Sequence, residues 1–169
     1  MLRGILVFLL FGGLPGCAKP VPLPDVIVRG ESRESLAAFR AELGRRFTAE
    51  QLEPLDTALN ELRLDAMHRE VTPAAAREHD MLGVVHGKSV REVQLLGWQA
   101  RRARLHREIA LFTATLEQDL KLKQESTGGV SQTVANRLQN VQDILARLHN
   151  DLAETEQRLT RWSETPASR

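Results

Sequence analysis

The sequence contains no tyrosine, two tryptophans and five phenylalanines, so aromatic residues make up only 4% of its 169 residues. Large β-sheets and ring-lined ligand pockets usually need more aromatic side chains, so the composition favours helices. A single cysteine excludes an intramolecular disulfide and a CxxC metal site. The 23 basic and 22 acidic residues nearly balance, which leaves no basic excess to indicate nucleic-acid binding.

The longest hydrophobic run lies within residues 1–16 and is too short to cross a bilayer. Its apolar stretch after Arg3 spans about ten residues, whereas a membrane-spanning helix needs roughly 20. A short positive region followed by such a stretch is typical of a secretory signal peptide. We therefore expect residues 1–16 to be a signal peptide that is removed from the mature protein.

The segment Leu14-Pro15-Gly16-Cys17 resembles a bacterial lipobox, at which a lipoprotein signal peptide is cleaved and the cysteine is acylated. Pro15 departs from the residue types usual at its position. A lone thiol would be a liability in an oxidising envelope, so acylation accounts for Cys17; an ordinary signal peptide with an incidental cysteine is the alternative. The resemblance implies a lipid anchor, and Ala18 implies the periplasmic face of the outer membrane.

Residues 17–31 are expected to comprise the lipidated cysteine and a linker. Pro20, Pro22 and Pro24 alternate with other residues, which predicts an extended, polyproline-like spacer that lifts the folded part off the membrane. The sequence DVIVRG that follows is short and β-prone, and is either linker or edge strand.

The segment 32–87 is predicted to be a small helical region. Thr48 begins a T-A-E-Q capping box, which opens the second of its helices. Pro54 lies past the first turn of that helix, so it should kink the helix or delay its start. Thr72-Pro73 predicts the start of a third helix that ends near Gly83. The first helix is predicted from Ser32 as its cap and from apolar residues at helical spacing, namely Leu36, Phe39 and Leu43.

Residues 88–163 are predicted to form a long antiparallel coiled-coil hairpin with its turn at about 126–131, which completes an all-α fold. Gly128 and Gly129 lie in that turn, and 164–169 are expected to be a flexible tail. Six of eight heptad positions are apolar in the first arm, and eight of nine in the second. These positions are 95, 98, 102, 105, 109, 112, 116 and 119, and then 134, 138, 141, 145, 148, 152, 155, 159 and 162.

The expected register of the hairpin pairs residues whose position numbers sum to about 260. It places Trp98 opposite Trp162 and Phe112 opposite Leu148, so both tryptophan rings should lie at the base, away from the glycine turn. Arms of about 30 residues predict a rod roughly 45 Å long. A long parallel oligomer is the alternative that the glycine turn disfavours, although hairpins can still associate as a homo-oligomer.

The middle of the chain resembles small proteobacterial lipoproteins of unknown function. The resemblance rests on Ser32 and Ser35 with Leu36, on the leucine-rich helix QLEPLDTALNEL at 51–62, and on HGKSVRE at 86–92. Those proteins have no established activity, so the resemblance implies an envelope lipoprotein and no catalytic residue.

The motif Gly87-Lys88-Ser89 invites comparison with a nucleotide-binding P-loop. The first glycine of that motif is missing, because Leu82 stands five positions before Gly87, and the preceding segment is helical in pattern. Ser89 and Glu92 instead match a second capping box, at the start of the long helix. We therefore expect no nucleotide cofactor.

Three residues, His79, Asp80 and His86, are the best candidates for metal binding or catalysis. Their spacing is not HExxH, and Gly83 interrupts the helix between them. We therefore expect no metal, no catalytic residue and no enzymatic activity, and convergence of these side chains in one cleft would be the sign that this expectation is wrong.

A run of arginines lies on the first hairpin arm. Arg101, Arg104 and Arg107 are candidates for binding a protein partner, a lipid phosphate or an anionic cell-wall polymer, with ion pairing inside the chain as the structural alternative. Arg102 falls on the seam, where it is expected to pair with an acidic residue of the other arm: Asp151, Glu154 or Glu156.

The sequence therefore predicts a lipid-anchored periplasmic protein that is a non-enzymatic docking or scaffold module of the cell envelope. It would bind an envelope protein through its hairpin, with Gly128 and Gly129 at the tip and the three arginines as candidate contacts. The alternatives are a regulator of a cell-wall enzyme and, less favoured, a metal-dependent enzyme or small-molecule binder. The compartment excludes a nucleic-acid partner.

Substituting Cys17 by serine should abolish acylation. Each buried methylene of an acyl chain contributes about 0.8 kcal/mol to membrane binding, so the native protein should stay in the membrane fraction after a high-salt wash. Mass spectrometry of the N-terminal peptide measures the modification. An unmodified Cys17 in the native protein would contradict the prediction, and the Cys17→Ser protein serves as the unacylated reference.

Overall fold

The computed structural model describes residues 21–69, 73–125 and 132–164, and in these ranges the chain is all-α, as predicted. No helix within them is long and apolar enough to cross a membrane. A short 3-10 turn at Leu23–Asp25 precedes five helices: α1 (Arg33–Gly44), α2 (Ala49–His68), α3 (Ala74–Val85), α4 (Val90–Glu125) and α5 (Gln132–Glu164).

Helix α4 is the central element of the fold, because both α2 and α5 pack against it. Its 36 residues span about 54 Å. Helix α2 runs parallel to α4: Gly97 lies against Ala58, and Arg107 lies beside Asp65, further along both helices. Helix α2 ends at His68, so it covers only the N-terminal half of α4.

The seam of the hairpin follows the predicted heptad positions. All nine in α5 are at least partly buried, and so are seven of the eight in α4; the exception is Arg102, which is exposed. Thr155, the polar member of the α5 series, is 1% exposed and donates its hydroxyl to the Asp151 carbonyl at 2.7 Å. The heptad pattern is therefore confirmed as the packing pattern of the two arms.

The register of the hairpin differs from the expected one by about one helical turn. Asp119 pairs with Arg137, and Arg158 lies over the Trp98 ring, so facing positions sum to 256 rather than 260. Trp98 and Trp162 therefore do not face each other, although both lie in the half away from the turn. The ends of the two helices agree with this register, because α4 ends at 125 and α5 begins at 132, and these position numbers sum to 257.

The hydrophobic core lies at the base of the molecule, among α1, α2, α3 and the first turns of α4. Burying each leucine-sized side chain there contributes about 1.5–3 kcal/mol. The hairpin beyond this base is held by its own seam, where Leu138, Val141 and Leu145 are buried. The core comprises Val28, Leu36, Phe39, Leu43, Leu52, Leu55, Leu59, Leu62, Met81, Leu82, Val85, Val90 and Val93.

Residues 23–30 belong to the folded base, so of the two alternatives expected for DVIVRG, a linker or an edge strand, the structure is closer to the second. Val28 is fully buried; its amide donates to the Lys88 carbonyl at 2.8 Å, and its carbonyl accepts from the Gly87 amide at 3.0 Å. Gly87 has a φ of 74°, a conformation that glycine adopts readily. The β-prone residues thus form an extended segment paired with the α3–α4 connection, and its inward side chains complete the core.

Both predicted capping boxes are present. Thr48 accepts from the Gln51 amide, while the Gln51 side chain accepts from the Thr48 amide at 2.9 Å. Ser89 and Glu92 are paired in the same way, and the bonds from the Ser89 amide and hydroxyl hold the pKa of the Glu92 carboxyl below its ordinary value.

The helix boundaries lie close to those expected. Helix α2 begins directly after its cap, so of the two effects expected of Pro54 the delayed start is absent. Helix α3 continues two residues past Gly83 and ends at Val85. Its N-cap position is Pro73, while Thr72 lies outside the described residues.

Substituting Gly97 by alanine should destabilise the fold. A Cβ at this position would lie 2.4 Å from both Cα and Cβ of Ala58, so α2 and α4 would have to move apart. Overpacking of this kind lowers the free energy of unfolding by about 1–3 kcal/mol. Urea unfolding followed by circular dichroism measures the change.

Gly83→Ala is the matched control, because Gly83 is also inside a helix but nothing lies within 4 Å of its Cβ position. Alanine favours helix over glycine, so this variant should gain about 0.5–1 kcal/mol. Changes of the same sign at both glycines would contradict a close approach of α2 and α4 at Gly97.

Candidate functional site

The arginines predicted to bind a partner lie at the interface between α2 and α4. Arg104 donates two hydrogen bonds to the Glu61 carboxylate, from Nε at 2.9 Å and from Nη2 at 2.7 Å. Arg101 lies 3.7 Å from the same carboxylate, and Arg107 lies 3.8 Å from Asp65. The structure therefore brings the three arginines together, but against the chain's own acidic residues.

Glu61 needs these partners because its side chain is only 5% exposed, and an unpaired buried charge is strongly destabilising. The hydrogen bonds that Arg104 donates to Glu61, and to Glu108 at 2.9 Å, hold the pKa of Arg104 above its ordinary value. We therefore assign Arg101, Arg104 and Arg107 to the packing of α2 on α4 and propose no partner contact for them.

The remaining sequence-derived candidates are not brought into a site. In the described part of the chain, Arg102 forms none of the ion pairs expected with α5; Glu154 pairs with Arg158 instead, at 2.8 Å. Cys17, Gly128 and Gly129 lie outside the described residues.

His79, Asp80 and His86 do not converge in one cleft. Asp80 accepts a hydrogen bond from Arg69 at 2.8 Å, whereas His86 lies 3.7 Å from Glu31. His79 is exposed. Among the residues that the structure describes, no group of three or more His, Cys, Asp or Glu side chains is placed to hold a metal ion.

The outer half of α4 has a face with two exposed leucines that the sequence analysis did not identify. Gly97 and Arg104, which contact α2, lie seven residues apart on one face, and that face continues beyond the end of α2. Leu111 is 65% exposed there, and Leu122 is 56% exposed. Two leucines outside the heptad seam were the signal for this face. We call it the distal stripe, and it consists of Leu111, Thr115, Gln118 and Leu122.

The opposite end of the molecule is rich in arginine. Arg91 donates to the Trp162 carbonyl at 3.1 Å, and its guanidinium lies 6.0 Å from the centre of the indole ring. These two residues line a cavity of about 210 Å³ together with Pro24 and Arg161. Beside it, Arg46 donates to the Val21 carbonyl at 3.3 Å. We call this end the base surface, and it consists of Val21, Pro24, Arg45, Arg46, Arg91, Arg161 and Trp162.

Substituting Glu61 by glutamine should destabilise the fold, because Arg104 would lose its buried carboxylate while the shape of the side chain is kept. Breaking a largely buried pair in this way should lower the free energy of unfolding by about 2–4 kcal/mol. Thermal or urea unfolding measures the loss.

Glu154→Gln is the control, since it removes the same charge from the Glu154–Arg158 pair, which is exposed on α5. An exposed pair four residues apart contributes no more than about 0.5 kcal/mol. Equal losses in the two variants would show that burial of Glu61 has no special role.

Comparisons of the chain with protein-family models, with curated proteins and with solved structures found no match.

Proposed function

We propose that the protein is a lipid-anchored cell-envelope protein that binds an envelope protein partner on the distal stripe, and that it is not an enzyme. One observation supports this most directly: the face of α4 that α2 covers continues past the end of α2 and carries two exposed leucines there, Leu111 and Leu122. This outer part of α4 is about 17 residues long, or about 25 Å. A docking module needs such a surface, held away from the base.

The partner best suited to the distal stripe is an amphipathic helix. Helix α2 shows how this face of α4 is recognised, by close packing at Gly97 and by ion pairs at Arg104. A partner helix in line with α2 would bury Leu111 and Leu122 with apolar residues three and four positions apart.

The anchor is supported by the sequence at the N-terminus. A signal peptide over 1–16 and the lipobox-like segment ending at Cys17 favour acylation, and Ala18 favours the outer membrane over the inner one. An anchored base would present the hairpin to proteins of the periplasm. A regulator of a cell-wall enzyme would use the same geometry, so the identity of the partner distinguishes a scaffold from a regulator.

A photo-crosslinking scan in cells tests the docking surface. Crosslinkers at positions 111, 118 and 122 should capture one recurrent envelope protein, identified by mass spectrometry. Positions 113 and 124, which are also exposed on α4 but lie on the side away from the stripe, should capture much less. Equal capture from both faces, or adducts with other copies of this chain alone, would contradict the proposal.

Charge substitution gives an independent test. The double variant Leu111→Glu with Leu122→Glu should lose the captured partner and keep its unfolding midpoint, because both side chains are exposed. Thr113→Glu with Gln124→Glu makes the same change in charge on the side of α4 away from the stripe and should keep the partner. Retention of the partner by the leucine variant would refute binding at the stripe.

A further inference from the structure

The folded body begins very close to the proposed anchor. Val21 follows Cys17 by only four positions, and a chain of that length spans at most about 14 Å in any conformation. Arg46 holds Val21 at the base surface through its carbonyl. If Cys17 is acylated, the base surface must therefore lie at the surface of the bilayer. The longer linker expected from the sequence would have allowed a greater distance between them.

The base surface has the chemistry of a membrane contact. Val21 is 50% exposed. Arg45 and Arg46 are exposed at the end of α1, and Arg161 is exposed near the end of α5. Tryptophan is enriched at the level of lipid headgroups, because its ring is apolar and its N–H is polar.

Arginine is concentrated at this end, although the whole chain has a net charge of only +1. Four arginines belong to the base surface. The acidic residues near the base surface along the chain are Asp25, Glu42, Glu50, Glu92 and Glu164. Glu42 pairs with Arg29, and Glu92 is engaged in capping α4. Guanidinium groups bind phosphate through paired hydrogen bonds, and basic residues near a bilayer are attracted to anionic lipids.

We propose that the base surface lies on the bilayer and that the cavity lined by Arg91, Arg161 and Trp162 receives the phosphate of an anionic lipid headgroup. This inference rests on the lipid anchor of the proposed function, and extends it from a tether to a defined contact. The hairpin then projects from the membrane with the distal stripe at its far end.

Tryptophan fluorescence tests the contact, because the chain has only two tryptophans. The intact protein is extracted in detergent and placed in vesicles of phosphatidylglycerol with brominated phosphatidylcholine, whose bromine quenches nearby indoles. Trp98→Phe leaves Trp162 as reporter, and Trp162→Phe leaves Trp98, which is 6% exposed inside the helix packing. Quenching of Trp162 should exceed that of Trp98 by about twofold, and should weaken when phosphatidylglycerol is replaced by phosphatidylcholine.

Charge reversal supplies the matched comparison. Arg45→Glu with Arg46→Glu should bring the quenching of Trp162 down to the level of Trp98. Arg102→Glu with Arg147→Glu makes the same change in charge at two exposed arginines of the hairpin and should leave the quenching unchanged. Equal quenching of the two tryptophans, or equal effects of the two double variants, would overturn the inference. Added inorganic phosphate should not reverse the quenching, and reversal would show a site for free phosphate instead of a lipid.

The mass of the N-terminal peptide separates this inference from the proposed function. An acylated Cys17 without preferential quenching of Trp162 would overturn the membrane contact and leave the anchor intact. Preferential quenching with an unmodified Cys17 would support the contact and refute the anchor.

Discussion

The close approach of α2 to α4 is the constraint on which the rest of the structure depends. Gly97 leaves room for Ala58, and a side chain there would collide with the α2 backbone. Because the two helices are so close here, the Glu61 carboxylate of α2 reaches Arg104 of α4, two turns after Gly97. This ion pair allows Glu61 to be buried. Because α2 ends at His68, the same packing determines where α4 becomes uncovered.

Local and periodic features of the fold could be predicted from the sequence. The heptad pattern identified the seam of the hairpin, since burial repeats every three or four residues along each arm. Capping boxes at Thr48 and Ser89 located the starts of α2 and α4, because a cap is formed by residues three positions apart. The all-α class followed from the same signals.

Features that depend on distant partners could not be predicted in this way. Arg104 looks like any arginine in a basic run, and only the packing of α2 places it against a buried carboxylate. The sequence left Val28 in either a linker or an edge strand, because its pairing with the α3–α4 connection links segments about 60 positions apart. The predicted hairpin register paired Trp98 with Trp162 and was wrong by about one helical turn. The observed register instead places Arg158 over Trp98 and Arg137 beside Asp119.

In the proposed arrangement, the base rests on the membrane and the distal stripe lies away from it. Energy transfer to a headgroup-labelled lipid tests this directly, with a dye on Asn140→Cys or on Gln157→Cys, both exposed on α5. If acylation occupies Cys17, each variant has a single reactive thiol. The two sites are about 25 Å apart along the helix, so transfer from position 157 should greatly exceed that from 140. Equal transfer from both sites would mean that the hairpin lies along the bilayer, and would contradict the account.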